Sequence, residues 1–511
     1  MSRPFGASGG DTASLAGPIP GRASQLDRAR LWGAATVAGV ATITVLRLLW
    51  LAVQPADLYP DEAQYWFWAQ HLALGYYSKP PLVAWLIAAT TWTFGDGESA
   101  VRLAAPLLHA AVSLLVYAIG ARLYGRRVGF WSAVAYATLP GVSVSAFIIS
   151  TDAALLPFWA AALYAFIRAR EAGGLWWAAV GIAAGFGLLA KYAMAYWLLS
   201  AFGLVLLDRA ERRHLRPLLG AVAIAVAIYL PNLWWNWVHG FVSYRHVGDN
   251  ADLAGPLFHP SACLEFVASQ FGVFGPVFFS ALLALIVTRE AFAEARARLL
   301  ATFALPTLAM MVAVSLLSRA HPNWAAPTYV SATVLVVAWM QGRGWGRTLL
   351  VSVALNFALA AVVFGGRDAL AAAGVEVPAK YDPLHRLRGW RSLGAEVGAV
   401  MAQHPGLTLL TDDRELTAAL IYYVRPHPWD AVKWTPLRRV KSQWDLDGGL
   451  ANHKGEDFLM VAAHTERAEL LQAFAAVEPL GTVTASQGPG RRRAYSVFIA
   501  RDFQGYPAVW R

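Results

Sequence analysis

The chain has 511 residues, 57% of them hydrophobic and only 14% charged, with 22 Trp and a mean hydropathy of +0.44. This excludes a soluble multi-domain enzyme and indicates a polytopic membrane protein. The net charge of +10 sits, in the apolar part, on arginines in short gaps between hydrophobic runs, which is a signal of topology and excludes a nucleic-acid surface.

Residues 1–30 are rich in Gly, Ala, Ser and Arg and lack an apolar core, so they read as a disordered cytoplasmic tail ahead of an uncleaved first helix. Apolar runs near 31–53, 101–121, 128–149, 153–170, 175–190, 193–207, 217–238, 262–288, 299–317, 325–341 and 348–366 give about eleven transmembrane helices. Threading them alternately gathers Arg122, Arg126, Arg127, Arg168, Arg170, Arg209, Arg212, Arg213, Arg216, Arg289, Arg296, Arg298, Arg343 and Arg347 on one side. The positive-inside rule makes that side cytoplasmic and places the C-terminus outside. The short apolar segment 81–95 reads as an interfacial or re-entrant helix, and 175–207 as a tight hairpin turning at Lys191 and Tyr192. The single cysteine, Cys263, falls in an expected membrane helix and cannot form an intrachain disulfide.

From residue 367 charged residues become frequent, and 367–511 reads as a small soluble α/β domain following the membrane part, 31–366. Strands are expected at 407–413, 457–464 and 491–503, and helices at 414–424 and at 465–477, the latter with Thr465 as N-cap.

The richest stretch is 59–81, YPDEAQYWFWAQHLALGYYSKPP, directly after the first apolar run. It holds Asp61, Glu62 and Lys79 among aromatics that include Tyr65 and Tyr77, at a membrane boundary where ionised groups are costly. The same outer layer holds Asp57 in this first loop, Arg102 at the start of the second span and Asp152 after the third, and later loops add His239, Arg245, His246, Arg319, His321 and Asn323. Such a layer suits group transfer from a phosphate-linked donor: a carboxylate takes the proton of an acceptor hydroxyl while cations neutralise the departing phosphate. Plainer roles compete. Asp152, after Ser150 and Thr151, also fits a helix cap, Lys191 and Arg319 fit snorkelling cations, and the aromatics fit an interfacial belt.

These pieces resemble the GT-C fold glycosyltransferases that use polyprenyl-phosphate sugars, in particular the branch with the lipid A aminoarabinose transferase and the protein O-mannosyltransferases. The matching motifs are Asp61-Glu62, Lys79-Pro80-Pro81, Thr151-Asp152, WNWVHGFVSYRHVGDNA at 235–251 and RAHPNWAAP at 319–327. The resemblance implies an inverting transfer from a polyprenyl-phosphate sugar to lipid A, lipopolysaccharide or another envelope glycan at the periplasmic face of a bacterial inner membrane. It implies Asp61 as catalytic aspartate with Asp152 near the reacting centre, and Lys79, Arg245 and Arg319 on the donor phosphate. Glu62, Tyr65, Tyr77, His246, His321 and Asn323 are then expected to position substrates, with Glu62→Gln milder than Asp61→Asn. In the aminoarabinose transferase a Glu before Lys-Pro-Pro helps bind zinc, whereas this chain has Ser78, so a divalent metal is left open, with His239, His246 and His321 as other ligands. Alternative readings are a protein O-mannosyltransferase-like enzyme, a lipid-linked substrate transporter or flippase, and a site in the soluble domain at Asp412, Asp413 and Glu415.

Overall fold

The computed structural model describes residues 22–251, 257–436 and 440–507; the expectation of disorder at 1–21 lies outside the described residues. Helix α1 (Arg22–Val53) already includes residues 22–30 of the expected tail. It is followed by α2 (Pro60–Gln70), α3 (Leu82–Phe94), α4 (Glu98–Tyr124), α5 (Arg126–Thr138), α6 (Pro140–Ser145), α7 (Thr151–Ala172), α8 (Leu175–Ala190) and α9 (Met194–Leu207). Then come α10 (Leu215–Val238), α11 (Val242–Ala251), α12 (Pro260–Val273), α13 (Pro276–Val287), α14 (Ala295–Leu317), α15 (Thr328–Gly342) and α16 (Gly346–Ala372).

Every apolar run read from the sequence is helical. Among the described residues six helices (α1, α4, α7, α10, α14 and α16) are long and apolar enough to cross a membrane, or seven if the bent pair α12–α13 is one span. The other runs are shorter or broken: α8 has 16 residues, α9 has 14 and α15 has 15. A hydropathy window averages over such breaks. Pro140 opens a new helix after Leu139, and Gly275-Pro276 turns the chain by 119° between α12 and α13. Gly275 is required at that bend, because its φ is +87° and a Cβ there would lie 2.3 Å from the Asn356 side chain. The hairpin at Lys191 is present, with α3 beside it as a 13-residue apolar helix.

Beyond α16 the chain forms α17 (Trp390–Gln403), β1 (Thr408–Thr411), α18 (Arg414–Tyr423), β2 (Val432–Lys433), β3 (Phe458–Ala462), β4 (Phe474–Ser486) and β5 (Arg492–Phe503). The sheet order is β2-β1-β3-β5-β4, with β1 parallel to β2 and β3, and β5 antiparallel to β3 and β4. The helix expected at 465–477 is corrected: only Arg467–Leu470 is helical, with Glu466 at its N-cap, and Phe474 begins β4. The apolar run there fits either period, and pairing with β5 decides for strand. Thr465 caps nothing; its N–H donates to Asp412, as do those of Ala463 and His464. The composition changes near 367, but packing does not: one apolar cluster contains Trp66 and Trp68 of α2 together with Trp390, Tyr422, Leu459 and Val497. Trp66 and Tyr422 meet edge to face at 4.8 Å and both bond Asp96, so α18 is docked on α2 by buried aromatics.

Candidate active site

Helix α2 starts with Pro60, whose fixed φ and missing N–H suit a first helical position, and with two carboxylates in the first turn facing the helix dipole. The two carboxylates have opposite fates. Glu62 is fully buried and accepts from Arg102 Nε (2.9 Å) and Nη2 (2.6 Å), from Tyr59 N (2.9 Å) and from Ile149 N (2.9 Å). Arg102, equally buried, spends its other donors on the carbonyls of Ala56 and Asp57. Glu62 therefore has no capacity left for a substrate, which corrects its expected role: it fixes the start of α2. Asp61, one residue earlier, is 39% exposed at its side chain.

Arg414, the first residue of α18, donates to Asp61 Oδ1 (2.7 Å) and to Gln64 Oε1 (2.6 Å). With both partners part exposed, this pair adds at most about 1 kcal/mol to stability, so its consequence is orientation. Asp61 Oδ2 has no hydrogen-bond partner among the described residues. Sequence reasoning missed Arg414, since it lies 353 residues from Asp61 in a segment without a membrane motif. The only available signal was its place at the start of a helix behind Asp412-Asp413.

Lys79 is held by the turn that ends α2. Tyr76 stacks on Trp68 at 4.6 Å, donates to Trp68 O and takes the Lys79 carbonyl on its own N–H, while Ser243 and Asn232 donate to Tyr76 O and Leu74 O. Gly75 permits this approach, for a Cβ there would lie 2.6 Å from the Trp235 ring. The Lys79 ammonium has no ion-pair or hydrogen-bond partner among the described residues. Burial, then the charge of Lys191, lowers its pKa, with Arg414 acting the same way and Asp61 and Asp152 opposing it.

Asp152 belongs to the same cluster. Ser150 caps α7 by accepting from Ala153 N, which leaves Asp152 free of the capping role. Its Oδ1 pairs with Lys191 Nζ (2.6 Å) and its Oδ2 accepts from Asn323 Nδ2 (2.8 Å). Lys191 is thus an ion-pair partner and not a snorkelling cation. Two carboxylates face three cations, Lys79, Lys191 and Arg414, so the cluster carries an excess positive charge.

The remaining expected residues divide. Tyr65 is 5% exposed, and burial followed by the Asp61 charge holds its phenol well above the usual range, so it stays a neutral O–H. Tyr77 packs against His246 with ring centres 5.0 Å apart. Burial, then the charges of Lys79 and Arg414, pushes His246 down to about 4. His321 lies at the rim, where partial desolvation, then the charges of Arg319 and Arg386, lowers its pKa against the opposing charge of Asp61. Arg319 is exposed beside it. Arg245 is not brought to the cluster: it is exposed and its guanidinium turns back to the carbonyl of Gly240. The C-terminal carboxylates are committed elsewhere: Asp412 takes three backbone N–H groups, Asp413 caps α18, and Glu415 pairs with Arg386.

The three histidines do not converge as metal ligands. His239 bonds Trp235 O and stacks on its ring, His246 bonds Asn250, and His321 lies at the rim. No group of three His, Cys, Asp or Glu side chains suited to a metal ion occurs among the described residues.

Residues 78–235 match the family described as dolichyl-phosphate-mannose-protein mannosyltransferase. Lipid A galacturonosyltransferase RgtD of Rhizobium johnstonii is 34% identical over 425 residues, 80% of this chain and 87% of that one. The undecaprenyl phosphate-alpha-4-amino-4-deoxy-L-arabinose arabinosyl transferase of Pseudomonas savastanoi pv. phaseolicola is 28% identical, covering 64% of this chain and 66% of its own. In fold, the chain is similar to ArnT from Cupriavidus metallidurans bound to undecaprenyl phosphate, with a TM-score of 0.63 at 17% identity, covering 93% of this chain and 99% of that one. The apo form of that protein gives a TM-score of 0.60. The chain is a multi-pass membrane glycosyltransferase and belongs to the GT-C family of lipid A sugar transferases.

Proposed function

We propose that this enzyme moves a sugar from a polyprenyl-phosphate carrier to lipid A or the lipopolysaccharide core, with inversion, at the periplasmic face of a bacterial inner membrane. The names of its relatives support donor and acceptor, and the relative at 34% identity makes galacturonic acid the first sugar to test. The arginine-rich loops at the opposite end of the helices support the orientation.

The observation that carries the reading is the unpartnered Lys79 ammonium held between Asp61 and Asp152. Lys79 makes no direct ion pair, and the two carboxylates near it are shared with Lys191 and Arg414, so a donor phosphate supplies the charge the cluster lacks. Arg414 fixes one oxygen of Asp61, and the other takes the proton of the acceptor hydroxyl as its oxygen attacks the anomeric carbon. The bond from that carbon to the phosphate oxygen breaks, the electron pair leaves with the polyprenyl phosphate, and Lys79 and Lys191 neutralise it. Asp152, with both oxygens occupied, holds Lys191 and Asn323 in place. No protein acceptor is favoured over a lipid one by the relatives matched over most of the chain.

The test is a transfer assay in proteoliposomes with polyprenyl-phosphate galacturonate and lipid A, followed by mass spectrometry of the lipid. Transfer by the wild type that is lost in Asp61→Asn while donor binding persists supports the reading. Absence of transfer from any polyprenyl-phosphate sugar to either lipid A or core acceptors refutes it.

A further inference from the structure

Two cavities lie one above the other along the seam between α1 and α16, away from the reacting cluster. The lower, about 200 Å³, is apolar and lined by Leu46, Trp50, Phe147, Phe357, Ala361 and Phe364, with Arg47 in its wall. The upper, about 520 Å³, is lined by Pro55, Asp57, Arg367, Arg388 and Arg391. The same two chain segments pass from one to the other. Three to five residues separate Phe364 from Arg367 and Trp50 from Pro55, roughly 5–8 Å at helical rise, so the lining changes from apolar to basic over the depth of a membrane boundary. This seam faces lipid, because the apolar windows of α1 and α16 are only 22% and 17% buried.

The guanidinium groups of the upper cavity retain unspent donors. Arg367 (3.3 Å) and Arg388 (2.9 Å) converge on a single oxygen, Asp382 Oδ2, whose partner oxygen is taken by Leu384 N. Each guanidinium has five N–H donors, so most remain available at this wall. In the lower cavity Arg47 donates to the Ala137 carbonyl at 2.5 Å and faces no carboxylate among the described residues. An intramembrane arginine without a counter-charge marks a binding partner.

We propose that this seam binds an anionic glycerophospholipid of the surrounding leaflet, distinct from donor and acceptor. One acyl chain fills the groove beside Ala361, the ester carbonyls meet Arg47, and the phosphate rests on Arg367 and Arg388. Charge complementarity selects the headgroup, and the apolar groove below it selects a lipid over a free phosphate. The bound lipid seals the seam where the α/β unit meets the bundle, and the site stands whether or not the proposed transfer reaction is correct.

The full-length protein, reconstituted in nanodiscs of equal phosphatidylglycerol and phosphatidylcholine, is extracted into detergent and washed, and retained lipid is quantified by mass spectrometry. Wild type is expected to retain phosphatidylglycerol preferentially. Arg367→Gln and Arg388→Gln, each of which leaves Asp382 one partner, should each reduce that retention about fivefold. Ala361→Trp, which fills the groove and leaves every charge in place, should reduce it also. Equal retention of the two lipids, or undiminished phosphatidylglycerol in the arginine variants or in Ala361→Trp, overturns the proposal.

Discussion

Glu62→Gln tests the division of labour between the adjacent carboxylates. The change keeps side-chain volume but removes the carboxylate paired with Arg102, and both groups are fully buried. Breaking a buried pair by neutralising one member costs about 3–5 kcal/mol, since the other charge is left uncompensated. The new amide N–H₂ also confronts Tyr59 N or Ile149 N, each of which donates to the carboxylate in the wild type. An N–H left without an acceptor costs about 1–3 kcal/mol, and the two losses overlap. At roughly 2–4 °C per kcal/mol the unfolding midpoint should fall by about 6–20 °C, followed by tryptophan fluorescence in detergent. Removing both charges as Glu62→Met with Arg102→Met should recover only the part due to the uncompensated charge, because Tyr59 N, Ile149 N and the carbonyls of Ala56 and Asp57 then lose their partners. The reasoning fails if Glu62→Gln melts with the wild type, or if it is fully stable yet has lost donor binding, which would return Glu62 to the substrate.

Asp61→Asn should lower single-turnover transfer by about 10²–10⁴ with donor binding intact, while Asp152→Asn should chiefly raise the donor KM by releasing Lys191; the reverse pattern would move the base to Asp152. Lys79 loses its proton at lower pH than an ordinary lysine, so donor KM should rise on the alkaline side, and Lys79→Arg should hold it flat to higher pH. With its pKa pushed down to about 4, His246 is neutral at physiological pH, and His246→Gln should leave the rate profile between pH 6 and 8 unchanged in shape. A reporter active only in the cytoplasm, fused after Ala372 at the end of α16, should be silent if the α/β unit is periplasmic.

What was legible in the sequence was what depends on local composition. Apolar runs marked the helices, and charges at their ends marked one layer, in which Asp61, Lys79, Asp152 and Asn323 do meet. The run at 262–288 concealed a 119° bend, because hydropathy is blind to backbone direction and only Gly275-Pro276 hinted at it. The segment 465–477 was misread as helix, because whether its apolar residues serve a helix or a strand is decided by pairing with β5, which its own periodicity does not announce. Partner choice within the layer was hidden for the same reason. Asp61 and Glu62 are neighbours of the same charge, and what separates them is that Arg102 is reached by one and Arg414 by the other.

Arg414 also gives the α/β unit a reason to exist in a membrane enzyme. A general base must be within hydrogen-bond reach of the proton it takes, and an aspartate in the first turn of a boundary helix has several rotamers open to it. Gln64, one turn on, shares the Arg414 guanidinium with Asp61, so a single cation from α18 restricts both side chains. That cation is itself placed by the aromatic dock of Trp66 on Tyr422 and by the Tyr423 hydroxyl that accepts from Leu58 N. Arg414→Gln should therefore lower kcat about tenfold or more with little change in melting temperature, since a part-exposed pair contributes at most about 1 kcal/mol to folding. Arg414→Lys should restore part of the rate, because one nitrogen, Nη1, donates to both Asp61 and Gln64, and an ammonium can do the same only where the shorter stem reaches them. A kcat that is unchanged in Arg414→Gln would show that the α/β unit does not aim the base, and that Asp61 is oriented by α2 alone.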